Sequence, residues 1–378
     1  MTKILGIAPD MWISSAAIVV DGELIAAAPE ERFNRQKMSK AFPVKSIEYC
    51  LDHAECTLDE IDTIVIPWNP GTSVRSASSR YTNSLQWRGD YLHAFAGSLL
   101  NMQGSPFVDS MEEIIHHPDG QSLIKFINHH AAHMASTFYL SPFDVSAILT
   151  IDGRGEDETG TWAQGHGNTI ERLQMTKWPH SLGLLYSTIT QFLGFAPHTD
   201  EWKVMALAAY GSSDTPYYDK IKSLIHIQAD GQYEMDLGMF TYYWFDKQPR
   251  FYSEKLIDLL GAERHKSDTL ETRHYDIATA LQKVFEEVCL HLLGHLHKMT
   301  GQTNLCLAGG AIMNSVFNGK IIRDTPFEHV FIPPFPDDSG VSIGAALHGY
   351  YEAEPDGPRS CLEHNYLGPE FSTDEVGK

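Results

Sequence analysis

The sequence predicts an α/β protein built from two related lobes that face each other across a cleft. Three observations carry this. An apolar run, a turn bearing Asp or Gly, and a β-hairpin occur near the start of the chain and recur from residue 145. Apolar segments of strand length alternate with stretches of helical period, as in sheets covered by helices. The recurrence happens once and at a spacing well beyond the roughly 20 to 50 residues of a solenoid, so the copies are lobes and not units of an array.

Residues 3–7 form an apolar run fit for a buried strand. Residues 15–20 and 24–28 flank Asp21-Gly22, a pair that tolerates the positive φ a two-residue hairpin requires. After Pro43, Ile47, Leu51 and Ala54 recur at helical spacing, and 62–67 is the next buried strand. From Asn69 to about Gln121 the periodicity fades, which predicts an insertion over about 70–121. The second copy runs through strands at 145–151, 159–164 and 170–175, with Asp152-Gly153-Arg154-Gly155 closing the first. Residues 275–299 carry a helical stripe of Ile277, Ala280, Leu281, Val284, Val288 and Leu292, suited to a core. A strand at 304–307 enters Ala308-Gly309-Gly310-Ala311 and a helix through Lys320. Another at 329–332 leads through Asp337-Asp338-Ser339-Gly340 to a last helix ending near Tyr350. The expected division is a first lobe over 1–140, a second over 141–351, and a polar, Pro- and Gly-bearing linker or junction over 352–378.

Composition narrows the function. Of 378 residues, 43% are hydrophobic and 20% charged, far from the composition of a disordered chain. A net charge of -21 opposes a polyphosphate backbone, so nucleic acid is not an expected partner. Five scattered cysteines without a Cys-x-x-Cys pair indicate no disulfide framework. The first residues, MTKILGIAPDMW, show no secretion signal, and no apolar run has the length of a membrane span, so the expected location is cytoplasmic.

Asn128-His129-His130-Ala131-Ala132-His133 opens an apparent helix. Positions four apart share a face, so His129 and His133 can address one ion while His130 points elsewhere. Asp152 ends a strand and Asp338 lies in a turn, so both can reach a cleft at the strand ends. Two imidazoles and two carboxylates suit iron, zinc or manganese. On these residues alone a structural histidine pair with helix-capping aspartates explains the pattern equally well. Gly-bearing turns at 6–10, 152–155 and 309–310 could admit a nucleotide, although no Walker lysine or Rossmann glycine fingerprint occurs. Arg32 and Lys37 are either a solvated face or the cations nearest a phosphate turn. Glu201 favours the N-terminus of its helix, which leaves Lys203 unexplained.

With these segments in view, the sequence resembles the O-carbamoyltransferases of the nodulation-factor and antibiotic-tailoring family. It is similar to their N-terminal catalytic domain, which is related to the universal tRNA threonylcarbamoyl transferase and to the actin, sugar kinase and heat-shock ATPase-like folds. The matching stretches are Ser15-Ala16-Ala17, Glu30-Glu31-Arg32-Phe33, Asn128 to His133, Asp152-Gly153, Ser181-Leu182-Gly183, Glu201 to Ala209, Gly309 to Asn314 and Asp337 to Gly340. The resemblance implies a two-lobed actin-like fold whose cleft binds carbamoyl adenylate, made from ATP and carbamoyl phosphate. It implies that His129, His133, Asp152 and Asp338 hold a divalent metal, iron before zinc or manganese. It also implies that Gly153, Gly309, Gly310 and Asn314 lie near the nucleotide. Arg32 and Lys37 would lie near phosphate or carbamoyl oxygens, and Glu201 and Lys203 would line the site. The carbamoyl group would pass to a hydroxyl of a sugar, polyketide or similar small molecule, releasing AMP.

Two departures shape the expectation. Relatives carry His-Asp where this chain has Trp12-Ile13, which leaves Asp10 or His130 as the candidate base. Relatives also carry a YrdC-like domain that forms carbamoyl adenylate, whereas this chain stops soon after Tyr366-Leu367-Gly368-Pro369-Glu370, so that domain is an expected partner in cis or in trans. Two other readings stand beside the transferase. One is an actin-like ATPase or small-molecule kinase, which would hold magnesium through oxygen ligands and have little use for imidazole. The other is a metal- and nucleotide-binding regulatory subunit without turnover. Acceptor recognition is expected from the insertion, where Trp87, Tyr91, His93 and Phe95 could stack on a ligand. A homo-oligomer is left open.

Overall fold

The computed structural model describes residues 1–9, 12–69, 110–117, 120–243 and 249–376. Its core is two mixed sheets in an α/β arrangement. The first contains β1 (Lys3–Ala8), β2 (Ser15–Val20), β3 (Glu23–Pro29), β4 (Thr63–Ile66), β5 (Ser110–His117) and β6 (Gly120–Ile127), in the order β3-β2-β1-β4-β6-β5. The second contains β7 (Val145–Ile151), β8 (Glu158–His166), β9 (Thr169–Lys177), β12 (Asn304–Ala308) and β13 (His329–Phe331), in the order β13-β12-β7-β8-β9. A small pair, β10 (Ile225–Ile227) and β11 (Tyr233–Met235), stands apart.

Each large sheet starts from a buried strand, β1 or β7, that pairs antiparallel with the hairpin following it and parallel with a later strand. The first hairpin turns at Asp21 and Gly22, with φ of 48° and 86°, the left-handed pair that matches strand twist. β1 and β7 are almost wholly buried because both faces are covered, which is why they read as continuous apolar runs.

Six helices pack on these sheets or on one another: α1 (Val44–His53), α2 (His129–Phe138), α3 (Leu182–Phe192), α4 (Glu201–Leu207), α5 (Thr272–Thr300) and α6 (Val341–Ala353). Two of them cross between the halves. α2 leaves the first sheet yet packs on β7, β8 and β12, whereas α6 leaves the second sheet and packs on β1, β2 and β4. They meet where a Cβ at Gly344 would lie 1.8 Å from the Ala132 carbonyl oxygen, so only glycine permits the approach. α6 closes as tightly on β1, where a Cβ at Gly6 would lie 1.9 Å from the Ser342 carbonyl oxygen. The Ser15 hydroxyl of β2 adds a 2.8 Å bond to the Ser342 hydroxyl. Burying Val341, Ile343, Leu347 and Tyr350 adds roughly 1.5–3 kcal/mol for each large apolar side chain. The predicted stripe of α5 is buried in the other main core, with Phe285 and Leu296 added to it.

Three sequence expectations are corrected. Within the described residues, the segment expected to be irregular to Gln121 contains the hairpin β5–β6, and β6 runs parallel to β4. Its charges hid the strand: Lys125 is buried, with its ammonium on Glu112 at 3.0 Å and Glu352 at 2.5 Å. The helix expected to run from 311 to Lys320 is a 3-10 turn at Gly310–Met313 and a separate turn at Ser315–Asn318. They divide where the Asn314 side chain caps the Phe317 amide. Gly6 lies inside β1 and not in a turn. The tail is anchored: Arg359 donates to the carbonyls of Phe138 and Phe143 at 2.7 and 3.0 Å, and Ala27 donates to the Leu367 carbonyl at 3.0 Å. No helix among the described residues is long and apolar enough to cross a membrane.

Candidate functional site

The junction of the crossed helices brings four side chains together. His129 and His133 occupy the first turns of α2, Asp152 follows β7, and Asp338 precedes α6. One ligand atom from each lies within 4.8 Å of all the others, and all four residues are buried. The two Nε2 atoms are 3.1 Å apart. Asp152 Oδ2 is 3.3 Å from His129 Nε2, and Asp338 Oδ1 is 3.5 Å from both histidines.

The surroundings fix these groups. Asn128 caps α2 by accepting the Ala131 amide at 3.0 Å. The buried Glu156 carboxylate accepts the amides of Asn69 at 2.6 Å and His129 at 3.1 Å, and the Asn128 side-chain amide at 3.1 Å. Glu158 takes a second bond from that Asn128 amide at 2.9 Å and pairs with Arg172. His129 Nδ1 faces the Pro67 carbonyl at 3.3 Å, so a proton there leaves Nε2 as a lone pair directed at the cluster. Asp152 Oδ1 accepts the Gly310 amide at 2.9 Å. Ser181 caps α3 and donates its hydroxyl to the Gly153 carbonyl at 2.7 Å, and a Cβ at Gly183 would lie 2.8 Å from the Asp152 carbonyl oxygen.

Burial opposes charge on His129, but the carboxylates of Asp338 and Asp152 outweigh it and raise this imidazole well above its ordinary range. Burial likewise opposes charge on Asp152, and His129 and His133 overcome it to hold the carboxyl below the usual range. Asp338 is lowered against burial and the Asp152 charge by the same two imidazoles. The cluster therefore favours ionised carboxylates with positive charge between them. A divalent cation fits this donor set. The Asp338 Oδ2 atom is buried without a partner among the described residues, and a cation between the two imidazole nitrogens 3.1 Å apart would draw on both lone pairs.

The remaining predicted site residues are spread around this centre. His130 is fully buried, with Nδ1 on the Thr150 hydroxyl at 2.7 Å, and burial lowers it to about 3. A Cβ at Gly153 would meet nothing within 4 Å, so this turn borders open space. Gly309, at φ +100°, gives its amide to the Pro336 carbonyl at 2.6 Å, and the Gly310 amide is spent on Asp152. Asn314 bonds reciprocally with Gln282 at 2.9 and 3.0 Å. Glu201 accepts the Ser187 hydroxyl at 2.5 Å and the His198 amide at 2.6 Å, and Lys203 pairs with Asp200 at 2.6 Å. Lys37 is exposed and pairs with Glu31 at 3.4 Å. Arg32 lines a different cleft of about 1250 Å³, with Arg35, Tyr49, Phe335, Tyr366 and Phe371. Asp10 and the aromatic residues Trp87, Tyr91, His93 and Phe95 lie outside the described residues.

Sequence reasoning missed Glu156 and Glu158. Asp152-Gly-Arg-Gly-Glu156 held the signal, since an acidic residue just past a strand-end turn can reach a neighbouring helix N-terminus.

Comparison with known proteins places these residues in a family. A protein of Synechocystis sp. described as uncharacterized is 36% identical over 393 residues, covering 100% of this chain and 62% of that protein. The nodulation protein NolNO of Sinorhizobium fredii is 32% identical over 373 residues, covering 97% of this chain and 50% of that protein. The chain thus spans between half and two thirds of the length of these relatives. Among solved structures, component A of the Acidaminococcus fermentans (R)-2-hydroxyglutaryl-CoA dehydratase aligns with 94% of this chain and 100% of its own, at TM-score 0.46 and 14% identity. The model described as carbamoyltransferase N-terminus matches residues 3–347, a span that takes in both sheets and every member of the histidine and aspartate cluster, and the chain belongs to that family.

Proposed function

We propose that the chain transfers a carbamoyl group from carbamoyl adenylate to a hydroxyl of a small-molecule acceptor, with release of AMP. Supporting this reading are the family and one observation, the convergence of His129, His133, Asp152 and Asp338 at the junction of the two crossed helices. In this reading residues 1–140 and 141–351 are actin-like lobes, and 352–378 leads toward a YrdC-like domain that forms the adenylate from ATP and carbamoyl phosphate, in cis or in trans. The four side chains hold a divalent ion, iron by resemblance to the O-carbamoyltransferases, with zinc and manganese compatible with the same donors. When bound, the ion supplies Lewis-acid polarisation and offsets negative charge on a carbamoyl or phosphate oxygen.

The chain's own residues do the rest. Glu156 holds the first turn of α2, so both histidines arrive already oriented. Gly153 borders open space, and Gly309 and Gly310 bring β12 against Asp152 without a side chain in the way, which suits close approach of an adenosine. Asn314 is fixed by Gln282, and Lys203 is a cation of α4 paired with Asp200. Lys37 and Arg32, the cations assigned to the donor phosphate by resemblance, are exposed, and Arg32 faces the separate cleft. A small-molecule kinase or ATPase is less compatible with two buried imidazoles, which magnesium does not require.

The test is transfer itself. Iron-reconstituted chain is mixed with a separately purified YrdC-like protein, ATP, carbamoyl phosphate and a panel of sugar and polyketide hydroxyls, and carbamoylated product is followed by mass spectrometry. Product requiring both this chain and the metal is expected. Its absence across the panel, together with no acceleration of carbamoyl adenylate breakdown, overturns the proposal.

A further inference from the structure

Transfer to a hydroxyl requires a group that takes the hydroxyl proton, and the three imidazoles of α2 are committed elsewhere. His129 and His133 turn Nε2 toward the two aspartates, and His130 is fully buried against Thr150. His198 is different. It sits in the turn between α3 and α4 and reaches across to loops of the first half. Its ring stacks on Trp12 at 4.3 Å between centroids and 25° between planes, and Lys40 Nζ lies 4.2 Å from the same indole centroid. Beside it, the Thr199 hydroxyl meets Met38 Sδ at 3.3 Å.

The turn has an uncommon backbone geometry. His198 has φ of +63°, in the left-handed region that few non-glycine residues enter, histidine more readily than most. The Glu201 carboxylate keeps it there by accepting the His198 amide at 2.6 Å while also holding the Ser187 hydroxyl. Phe251 packs against the ring at 5.3 Å. An uncommon backbone geometry held by surrounding contacts fixes where this ring points. Burial and the Lys40 charge lower His198 to about 4, while Asp152 and Asp338 pull it upward, so the ring is neutral at pH 7 and within electrostatic reach of both cluster carboxylates.

We propose that His198 accepts the proton of the acceptor hydroxyl, with its ring presented by Trp12 and by the turn anchored on Glu201. This rests on the carbamoyl-transfer reading above. As the acceptor oxygen bonds to the carbamoyl carbon, its proton passes to a His198 ring nitrogen. The bond from that carbon to the adenylate oxygen breaks, its electron pair leaves on AMP, and the imidazolium gives its proton to water. No oxidant or reductant is needed.

The experiment compares the full chain with His198→Asn, which tolerates positive φ, and with His198→Ala. The probe is carbamoyl adenylate generated in the assay by a YrdC-like protein, with water and glycerol as acceptors. AMP release is expected to fall about 100-fold or more in His198→Asn, and added imidazole is expected to restore part of it in His198→Ala. Iron content and AMP affinity are expected to stay at wild-type levels in both. Independently of turnover, diethyl pyrocarbonate at pH 6 is expected to label His198 in preference to His130, and AMP with metal is expected to protect it. Wild-type turnover in His198→Asn overturns the proposal while leaving carbamoyl transfer intact. A loss of turnover matched by equal losses of iron or AMP binding also overturns it, since the residue would then be structural. If the metal-loaded wild-type chain is inert toward the adenylate, the transfer reading falls and this assignment falls with it.

Discussion

His129 and His133 direct their Nε2 atoms at each other across 3.1 Å, while Asp338 Oδ1 stands 3.5 Å from each. One positive centre shared by all four groups would relieve this contact, and in the proposed reading that centre contributes to stability as well as to chemistry.

Chelation should therefore lower thermal stability. With free metal at about 1,000 times its dissociation constant, the linkage is worth about 4 kcal/mol, which a melting curve with and without chelator resolves. His133→Ala should lose more than about 100-fold in metal affinity, measured by competition with a chelating dye.

Glu156→Gln keeps the shape of the side chain but turns an amide toward donors that now find a carboxylate. Among these are the backbone N–H groups of Asn69 and His129. Denaturant unfolding should show a loss of about 1–3 kcal/mol. Metal titration should show affinity weakened about 10- to 100-fold, as for other residues that orient a metal ligand.

Gly344→Ala places a methyl 1.8 Å from the Ala132 carbonyl oxygen, in contact with backbone that cannot rotate away. Helices α2 and α6 must separate, at a cost of about 3 kcal/mol. Because Asp338 leads into α6 and His133 lies on α2, metal should be lost along with stability. Elemental analysis of the purified variant checks this.

His198 gives the stability a pH dependence of definite sign. Its folded value is lowered to about 4 from an ordinary 6.5, so between these values the unfolded chain binds more protons than the native one. The stabilisation is fully present above pH 6.5 and is lost as the pH falls toward 4. His198→Asn should flatten that part of a plot of melting temperature against pH.

Period and turn chemistry made most of the fold legible in advance. Strands β1, β2, β3, β7 and β12 were readable as apolar runs bounded by turns, and the stripe of α5 lay within two or three residues of its observed ends. β5 and β6 were hidden because Lys125, Glu112 and Glu113 occupy a strand pair where alternation is expected, and the pairing of Lys125 with Glu352 comes from more than two hundred residues away. The same division holds at the site. Spacing put His129 and His133 on one face, and strand ends put Asp152 and Asp338 within reach of a cleft. Glu156 was signalled only by its place just past a strand-end turn, and His198 not at all, because their partners are distant in sequence, the His129 amide of α2 for one and the Trp12 indole for the other.

The exchange of α2 and α6 also sets the order in which the molecule can be completed. Ile4, Ala17 and Val65 of the first sheet are covered by Val341, Ile343 and Leu347, which a ribosome makes much later. Until that segment emerges, the N-terminal sheet presents a bare apolar face, and a nascent chain must shelter it or wait. Protease cleavage ahead of Val341 should thus release two sticky fragments instead of two independent lobes.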